Sequence, residues 1–513
     1  MSDYSASNKR IAKNTLFLYG RMGLSILVNL YTMRVIWQVL GIDDYGIYNL
    51  VGGIVLMFQF LNSAMVVSSQ RFISFELGKG NFDNLRKVFS ISVTVHYLLA
   101  GVILLLAETV GLWFLNAKLN IPADRMTAAN WVYQCSILAF LVTVISVPYN
   151  ACIVAHEHMK AYGYFGILEV LLKLGIVFLL MAIPFDKLIT YAILVLVVQV
   201  SIRVIYQVYC RRHFPECHYN YTRDPHLMRD MFSFAGWSFL GNMGFSVRDQ
   251  GLNILINMFF NVAMNAAKGI AFQVANVIRN FSSSFQMALN PQITKLYATG
   301  EIDRMLLLLS RGCKFSFLLV MIIAIPLYFK AEYVLQLWLG NVDSNMVVFL
   351  QLSLITVLIE SVVTPIVTAL QATGNIRRFQ IIISIIMILN IPAAWVWLKI
   401  DLNPYSVMWV TIITSLIGIG ARLVLLKEQI GFSLKWFIRI TCQPLIAPLI
   451  LTTIPLYFIS SFLDNNTITN LILFVGCTLT LSAVSIYIFG LTKRERNVIN
   501  GIIKAKFTSK KDR

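Results

Sequence analysis

Apolar runs of about 20 or more residues recur from one end of the chain to the other, with only short polar connections between them. As helices rising ~1.5 Å per residue, each run covers the ~30 Å hydrocarbon core of a bilayer. The pattern predicts an all-α polytopic membrane protein with about fourteen crossings and no soluble domain. Eight spans are expected at 14–40, 45–70, 88–114, 127–153, 162–183, 187–210, 231–259 and 264–290. Six more follow at 306–329, 345–370, 378–399, 405–427, 437–460 and 469–490.

One span breaks the apolar rule. The stretch NAAKGIAFQVANVIRNFSSSFQMALNP, residues 265–291, carries Lys268 and Arg279. Eleven residues apart, they lie about 20° out of register on one helix face. Ser282 and Gln286 extend that face, whereas Ile270, Val274 and Val277 fall mostly elsewhere. A central cation costs about 2.5–3.5 kcal/mol on insertion scales, so it is expected to face protein or a hydrated cavity. For Lys268, near a helix end, snorkelling to the interface is an equal alternative. The span 45–70 repeats the stripe without the charge, with Gln59 where the later helix has Arg279 and with Asn62 nearby.

Other charges fall within spans. Arg248 lies at mid-membrane beside Asp249, and adjacent positions on a helix do not face each other, so an internal ion pair between them is not expected. Arg21 and Arg34 sit toward the two ends of the first span, open to lining a cavity or to snorkelling. Glu169 and Lys173, four apart, are expected to pair. Asp249 and Glu360 are candidate coupling-ion carboxylates, and Arg203 also lies in a span. Cations outnumber carboxylates, which points to an anionic ligand with a large headgroup. Diphosphate suits Arg, whose planar fork forms paired hydrogen bonds to phosphate oxygens.

Two long-range registers suggest an internal repeat. RFISFELGKGNFDNL from Arg71 lies over PQITKLYATGEIDRM from Pro291, pairing Gly80 with Gly300, and PYNACIVAHEHMK from Pro148 lies over PIVTALQATGNIR from Pro365. The expected domains are a six-helix bundle at 1–216, a second at 217–436, two additional helices at 437–490 and a basic tail at 491–513. Six is even, so both halves would enter the membrane in one orientation, a transporter architecture with its site between them.

Composition agrees with the membrane reading: 58% of the residues are hydrophobic and 13% charged, against roughly 25% charged in soluble domains. The net charge of +18 would suit nucleic acid, but its distribution points elsewhere. About 30 of the 42 Lys and Arg fall on one side of the membrane, about 5 on the other and about 7 in helices, which makes the basic side cytoplasmic and puts both termini there. The start lacks an apolar core with a small-residue cleavage site, so no removable signal peptide is read. The basic tail is expected on the anionic inner surface.

Catalytic chemistry finds no support in the pattern. There is no phosphate-binding glycine loop, no nucleotide motif and no sizeable outer loop, the longest running roughly from Leu115 to Met126. Seven cysteines are scattered without a framework, and Cys210, His213, Cys217 and His218 fit no standard zinc spacing. No metal and no cofactor is expected. His156, Glu157 and His158, on a cytoplasmic turn, are expected to contact lipid headgroups.

RVIWQVLGIDDYGIYNL from Arg34 and GNFDNLRKVFS from Gly80 resemble the corresponding segments of polysaccharide flippases, the O-antigen and capsule repeat-unit transporters of the multidrug/oligosaccharidyl-lipid/polysaccharide exporter superfamily. The likeness extends over the whole chain in hydropathy and helix organisation. It implies a MATE-like fold in a bacterial inner membrane. It also implies alternating-access movement of an undecaprenyl-diphosphate-linked oligosaccharide to the periplasmic leaflet, with no bond broken. Cavity cations would be Arg279, Arg248, Arg34 and Lys268, with Gln59, Asn62, Ser282 and Gln286 as polar lining. Expected partners are the lipid-linked oligosaccharide, membrane lipids and the polysaccharide polymerase and chain-length machinery. A lipid II flippase, a multidrug exporter and, from another class, a polytopic glycosyltransferase are the competing readings.

Overall fold

The computed structural model describes residues 17–29, 31–32, 35–36, 39–40, 44, 47–48, 51–52, 55, 58–118, 121–222, 224–260, 262–339, 342–463, 467–493, 495–497 and 500. The described chain is almost wholly helical and contains no strand. The principal helices are α1 (Gln59–Lys79), α2 (Phe82–Leu106), α3 (Met126–Ala155), α4 (Met159–Ala182), α5 (Lys187–His213), α6 (Pro225–Phe259), α7 (Val262–Ala298) and α8 (Ile302–Phe329). They continue as α9 (Ser344–Glu360), α10 (Val363–Ala372), α11 (Arg377–Ile388), α12 (Asn390–Ile400), α13 (Ser406–Ile430), α14 (Gln443–Phe462) and α15 (Ile468–Ser485).

Among the described residues ten helical segments are long and apolar enough to cross a membrane. Of the fourteen expected spans, 14–40 and 45–70 lie partly outside the described residues. The other two, 231–259 and 264–290, form α6 and α7, which have ample length at 35 and 37 residues but are too polar to meet the same criterion. These two helices carry cations within the expected spans, Arg248 on α6 and Lys268 and Arg279 on α7.

Large apolar side chains such as Leu105, Phe178, Ile400 and Phe462 stay exposed on the helices, as expected where the surrounding medium is hydrocarbon. The chain therefore forms a multi-pass membrane protein. Burial ranks the spans: the segment around α3 is 67% buried and that around α8 61%, against 22% for α4 and for the last two spans. The first two are packed inside protein, and the others face outward.

Contacts divide the chain into two compact units. The first comprises 1–243, 287–301 and 374–381, and the second 244–286, 302–373 and 382–513. These boundaries follow packing and differ from the sequence divisions at 216/217 and 436/437, because α6, α7 and α11 each supply residues to both units.

Local signals set the helix ends. Asn81 caps α2 by accepting from the Asn84 amide, and Asp186 caps α5 by accepting from Leu188 and Ile189. The paired glycines of the repeat behave alike. Gly80 (φ 70°) and Gly300 (φ 76°) are left-handed, a conformation that penalises a Cβ. After α1, Gly80 N–H donates to Leu77 and Asn81 N–H to Glu76. After α7, Gly300 N–H donates to Tyr297 and Glu301 N–H to Leu296. Both ends are Schellman motifs in the same register.

In the first unit, α1 and the end of α7 approach closely at Gly78, where an added Cβ would stand 2.8 Å from Lys295 Cα. The obstacle is backbone and cannot rotate away. Gly78→Val is therefore expected to destabilise the first unit by about 1–3 kcal/mol. Thermal unfolding in detergent should show the loss, while Gly101→Ala, with open space around it, should match wild type.

Candidate functional site

A cavity of about 410 Å³ lies among helices of the second unit. Its charged lining is Arg248 and Asp249 from α6, Arg279 from α7, Glu360 at the end of α9 and Arg422 from α13. Ser282, Ser283 and Gln286 of α7 add hydroxyl and amide groups, and Phe245, Val357 and Met387 supply apolar wall.

Glu360 organises the charges. Its Oε2 accepts from Arg279 Nη2 at 3.0 Å, and its Oε1 lies 3.5 Å from Arg248 Nη1 and 3.4 Å from the Ser415 hydroxyl. Arg248 is nearly closed off, its side chain 5% exposed, whereas Arg279 is 38% exposed and also donates to Asn276 Oδ1 at 2.7 Å. Contrary to the sequence expectation, Arg248 Nε pairs with the neighbouring Asp249 Oδ1 at 2.8 Å. The two Cα positions diverge around the helix, but a guanidinium on a long stem folds back to reach the shorter carboxylate.

Gln286 is buried on the same face of α7. Its Nε2 lies 3.1 Å from the Ser282 hydroxyl, 3.3 Å from that of Ser316 and 3.2 Å from the Ser361 carbonyl. It therefore holds the lining of α7 to α8 and to the end of α9. Lys268 is buried too, but it donates to Asn253 Oδ1 at 2.8 Å and does not line this cavity. The amphipathic stripe thus runs from a locally satisfied Lys268 to the cavity-facing Arg279.

Arg422 was missed in the sequence because, near the end of its span and five residues from Lys427, it reads as a flanking cytoplasmic cation. It is 2% exposed, and its guanidinium occupies the space above Gly418, where a Cβ would come within 2.8 Å. Its Nε has no hydrogen-bond partner among the described residues. The available signal was the glycine four residues before an arginine within an apolar run.

The remaining candidates fall elsewhere. Arg34 lies outside the described residues. In the first unit Gln59 is exposed, and Asn62 is buried with its Oδ1 unpartnered among the described residues. Glu169 and Lys173 pair at 2.7 Å as expected. Arg21 lies over the Tyr162 ring and Arg203 over the Tyr149 ring, so both are covered by aromatic faces.

The three residues expected on a cytoplasmic turn do not form an exposed headgroup patch. Glu157 is 5% exposed and accepts from Gln292 at 2.6 Å and Lys295 at 2.8 Å, while His156 stacks on Phe214 and only His158 is exposed. The tail beyond residue 500 lies outside the described residues. Just before it, Glu495 meets Lys314 at 2.6 Å; burial opposes its ionisation, but the Lys314 hydrogen bond prevails and holds its carboxyl below the ordinary range.

A profile of the polysaccharide biosynthesis protein family matches residues 11–297, more than half of the chain and including α6 and almost all of α7. The chain belongs to that family. Among solved structures, a MATE transporter in its bent conformation superposes with a TM-score of 0.71 at 12% identity, over 83% of this chain and 97% of that one. An outward-facing multidrug resistance MATE family transporter of the MOP superfamily gives 0.71 at 13%, over 83% and 96%. A MOP superfamily transporter from Pyrococcus furiosus, described by the reverse polarity of its binding pocket, gives 0.68 at 13%, over 83% and 96%. No curated protein sequence matches significantly. This member of the polysaccharide biosynthesis family therefore has a MATE-like fold.

Glu360→Gln keeps the volume of Glu360 while removing the charge shared by two guanidinium groups. It is expected to cost about 1–3 kcal/mol, below the 3–5 kcal/mol of a sealed buried pair because Arg279 is hydrated. Asp249→Asn, at a 35% exposed carboxylate touching one arginine, should cost less than about 1 kcal/mol. Thermal unfolding of the two variants in detergent checks the order.

Proposed function

We propose that the protein is a transporter that moves an undecaprenyl-diphosphate-linked oligosaccharide from the cytoplasmic to the periplasmic leaflet of the bacterial inner membrane by alternating access. The observation that carries this reading is the cavity's charge: three guanidinium groups against two carboxylates, on helices long enough to span the bilayer. Membership of the polysaccharide biosynthesis family supports a surface-polysaccharide substrate.

The phosphate chemistry follows from the geometry. Arg279 combines the greatest exposure of the paired arginines with a carboxylate partner that has other donors. A diphosphate entering the cavity would take over the Arg279 fork and leave Glu360 to Arg248 and Ser415. Its charge would be compensated by exchanging one anion for another, so no bare cation need cross hydrocarbon. The sugar would occupy the hydroxyl- and amide-lined part of the cavity, and the polyprenyl chain would remain in lipid. The protein's task is binding and reorientation; no covalent bond changes.

The same cavity would serve a lipid II flippase, which carries the same diphosphate, whereas an exporter of cationic drugs would need the opposite charge balance. Both termini are placed in the cytoplasm on the distribution of basic residues.

The test is deletion of the gene with complementation. Loss should accumulate lipid-linked oligosaccharide on the cytoplasmic face and deplete surface polysaccharide, and wild type should restore both. Arg279→Ala should restore less than about a tenth of transport, and Arg279→Lys only part, since a point charge replaces a two-pronged donor. Undiminished surface polysaccharide in a deletion strain without a second transporter would reject the assignment.

A further inference from the structure

The first unit contains a buried sulfur and carboxylate cluster unrelated to the cavity. Cys152, in the last turn of α3, meets Glu216 and Cys217 of the short turn Pro215–Cys217 that follows α5. One ligand atom from each lies within 4.8 Å of the others, and exposure is 0%, 1% and 0%. A further thiol is close by: Cys210, fully buried in the last turn of α5, directs its Sγ to the Tyr149 carbonyl at 3.5 Å, about one helical turn before Cys152 on α3.

Packing alone leaves this cluster unexplained. Glu216 Oε1 is 2.5 Å from His156 Nε2, but Oε2 is buried with no partner among the described residues. A carboxylate oxygen closed away from water and left unpaired is costly, and here it sits beside two thiols that offer at most weak hydrogen bonds. A cation would satisfy all three at once. A tetrahedral ion with ~2.3 Å bonds to sulfur separates its ligand atoms by roughly 3.7 Å, so side chains already within 4.8 Å need only small rotations to reach it.

We propose that Cys152, Cys217 and Glu216 bind a structural zinc ion, with Cys210 as the fourth ligand. Three thiolates with a carboxylate form a closed set that leaves no position for chemistry, and thiolates favour zinc over magnesium or calcium. His156, stacked on Phe214 at 4.1 Å, donates to the outer oxygen of Glu216 and orients it, a customary outer-shell arrangement. The Arg203 guanidinium, over the Tyr149 ring at 4.2 Å, stands about two turns before Cys210 on α5 and is the cation that would offset the site's negative charge. The ion would staple the end of α3 to the turn after α5 and so fix where the chain departs toward α6. No short cysteine motif announces it, because Cys152 is separated by more than 60 residues from the Glu216–Cys217 pair.

The test uses the full chain purified in detergent under reducing conditions from zinc-supplemented cells. Elemental analysis should find about one zinc per chain. Cys217→Ser and Cys152→Ser should each fall below about a fifth of that, and Cys135→Ser, at a buried cysteine elsewhere on α3, should retain it. Should the serine variants fail to fold, wild type exchanged into cadmium should show thiolate-to-metal charge transfer in the ultraviolet. Wild type with well under one zinc per chain and no such band overturns the proposal. So does zinc retained in folded Cys217→Ser, or a Cys210–Cys217 disulfide found by mass spectrometry in metal-free protein.

Discussion

Charge in a membrane helix must be neutralised or wetted, and Glu360 is where this chain does both. Two arginines converge on its carboxylate, Arg248 almost sealed and Arg279 open to the cavity. An unpaired Arg248 would carry a desolvation penalty of several kcal/mol. With Glu360 and Asp249 present, the guanidinium instead becomes a fixed wall that organises its neighbours. The polar faces of α6 and α7 follow from the same constraint, because each charged group needs partners within one side chain's reach. The two helices are consequently too polar to pass as lipid-soluble spans, although at 35 and 37 residues they are ample in length.

Much of the fold was legible before any coordinates. Apolar runs of bilayer length located the helices from α2 onward, since only helices and closed barrels satisfy every backbone group in hydrocarbon and runs of about 20 apolar residues fit the helix. The repeat was legible at Gly80 and Gly300 because a left-handed helix end demands glycine, and the two ends use the same hydrogen bonds. Compact units were less legible. A helix such as α7, packed against one set of partners along part of its length and another set along the rest, has no boundary in its hydropathy.

Site residues divide along the same line. Periodicity put Arg279, Ser282 and Gln286 on one stripe, and all three line the cavity. It also put Lys268 there, but Asn253 is close enough to hold the ammonium locally, and a helix wheel carries no information about a neighbouring helix. The Arg248–Asp249 pair was misread because face arguments describe Cα positions, whereas the guanidinium sits at the end of a flexible stem. Arg422 was hidden by its nearness to a span end. The Cys152, Glu216 and Cys217 cluster was hidden by distance along the chain, which only folding removes.

Under the proposed function, the cavity's makeup bears on how a diphosphate could be held and released. An array of bare arginines would bind phosphate tightly and surrender it slowly, since affinity differences among related complexes appear mostly in the rate of dissociation. Pairing Arg248 and Arg279 with carboxylates changes that balance. Under the proposed function Glu360 competes with the substrate for Arg279, so binding is an exchange between two anions and its net free energy is smaller than either interaction alone. Ser415 stabilises the displaced carboxylate from the far side, and Gln286 keeps the α7 backbone in register while the exchange occurs. A site built this way gives up affinity for reversibility, which a carrier that must load on one leaflet and unload on the other requires.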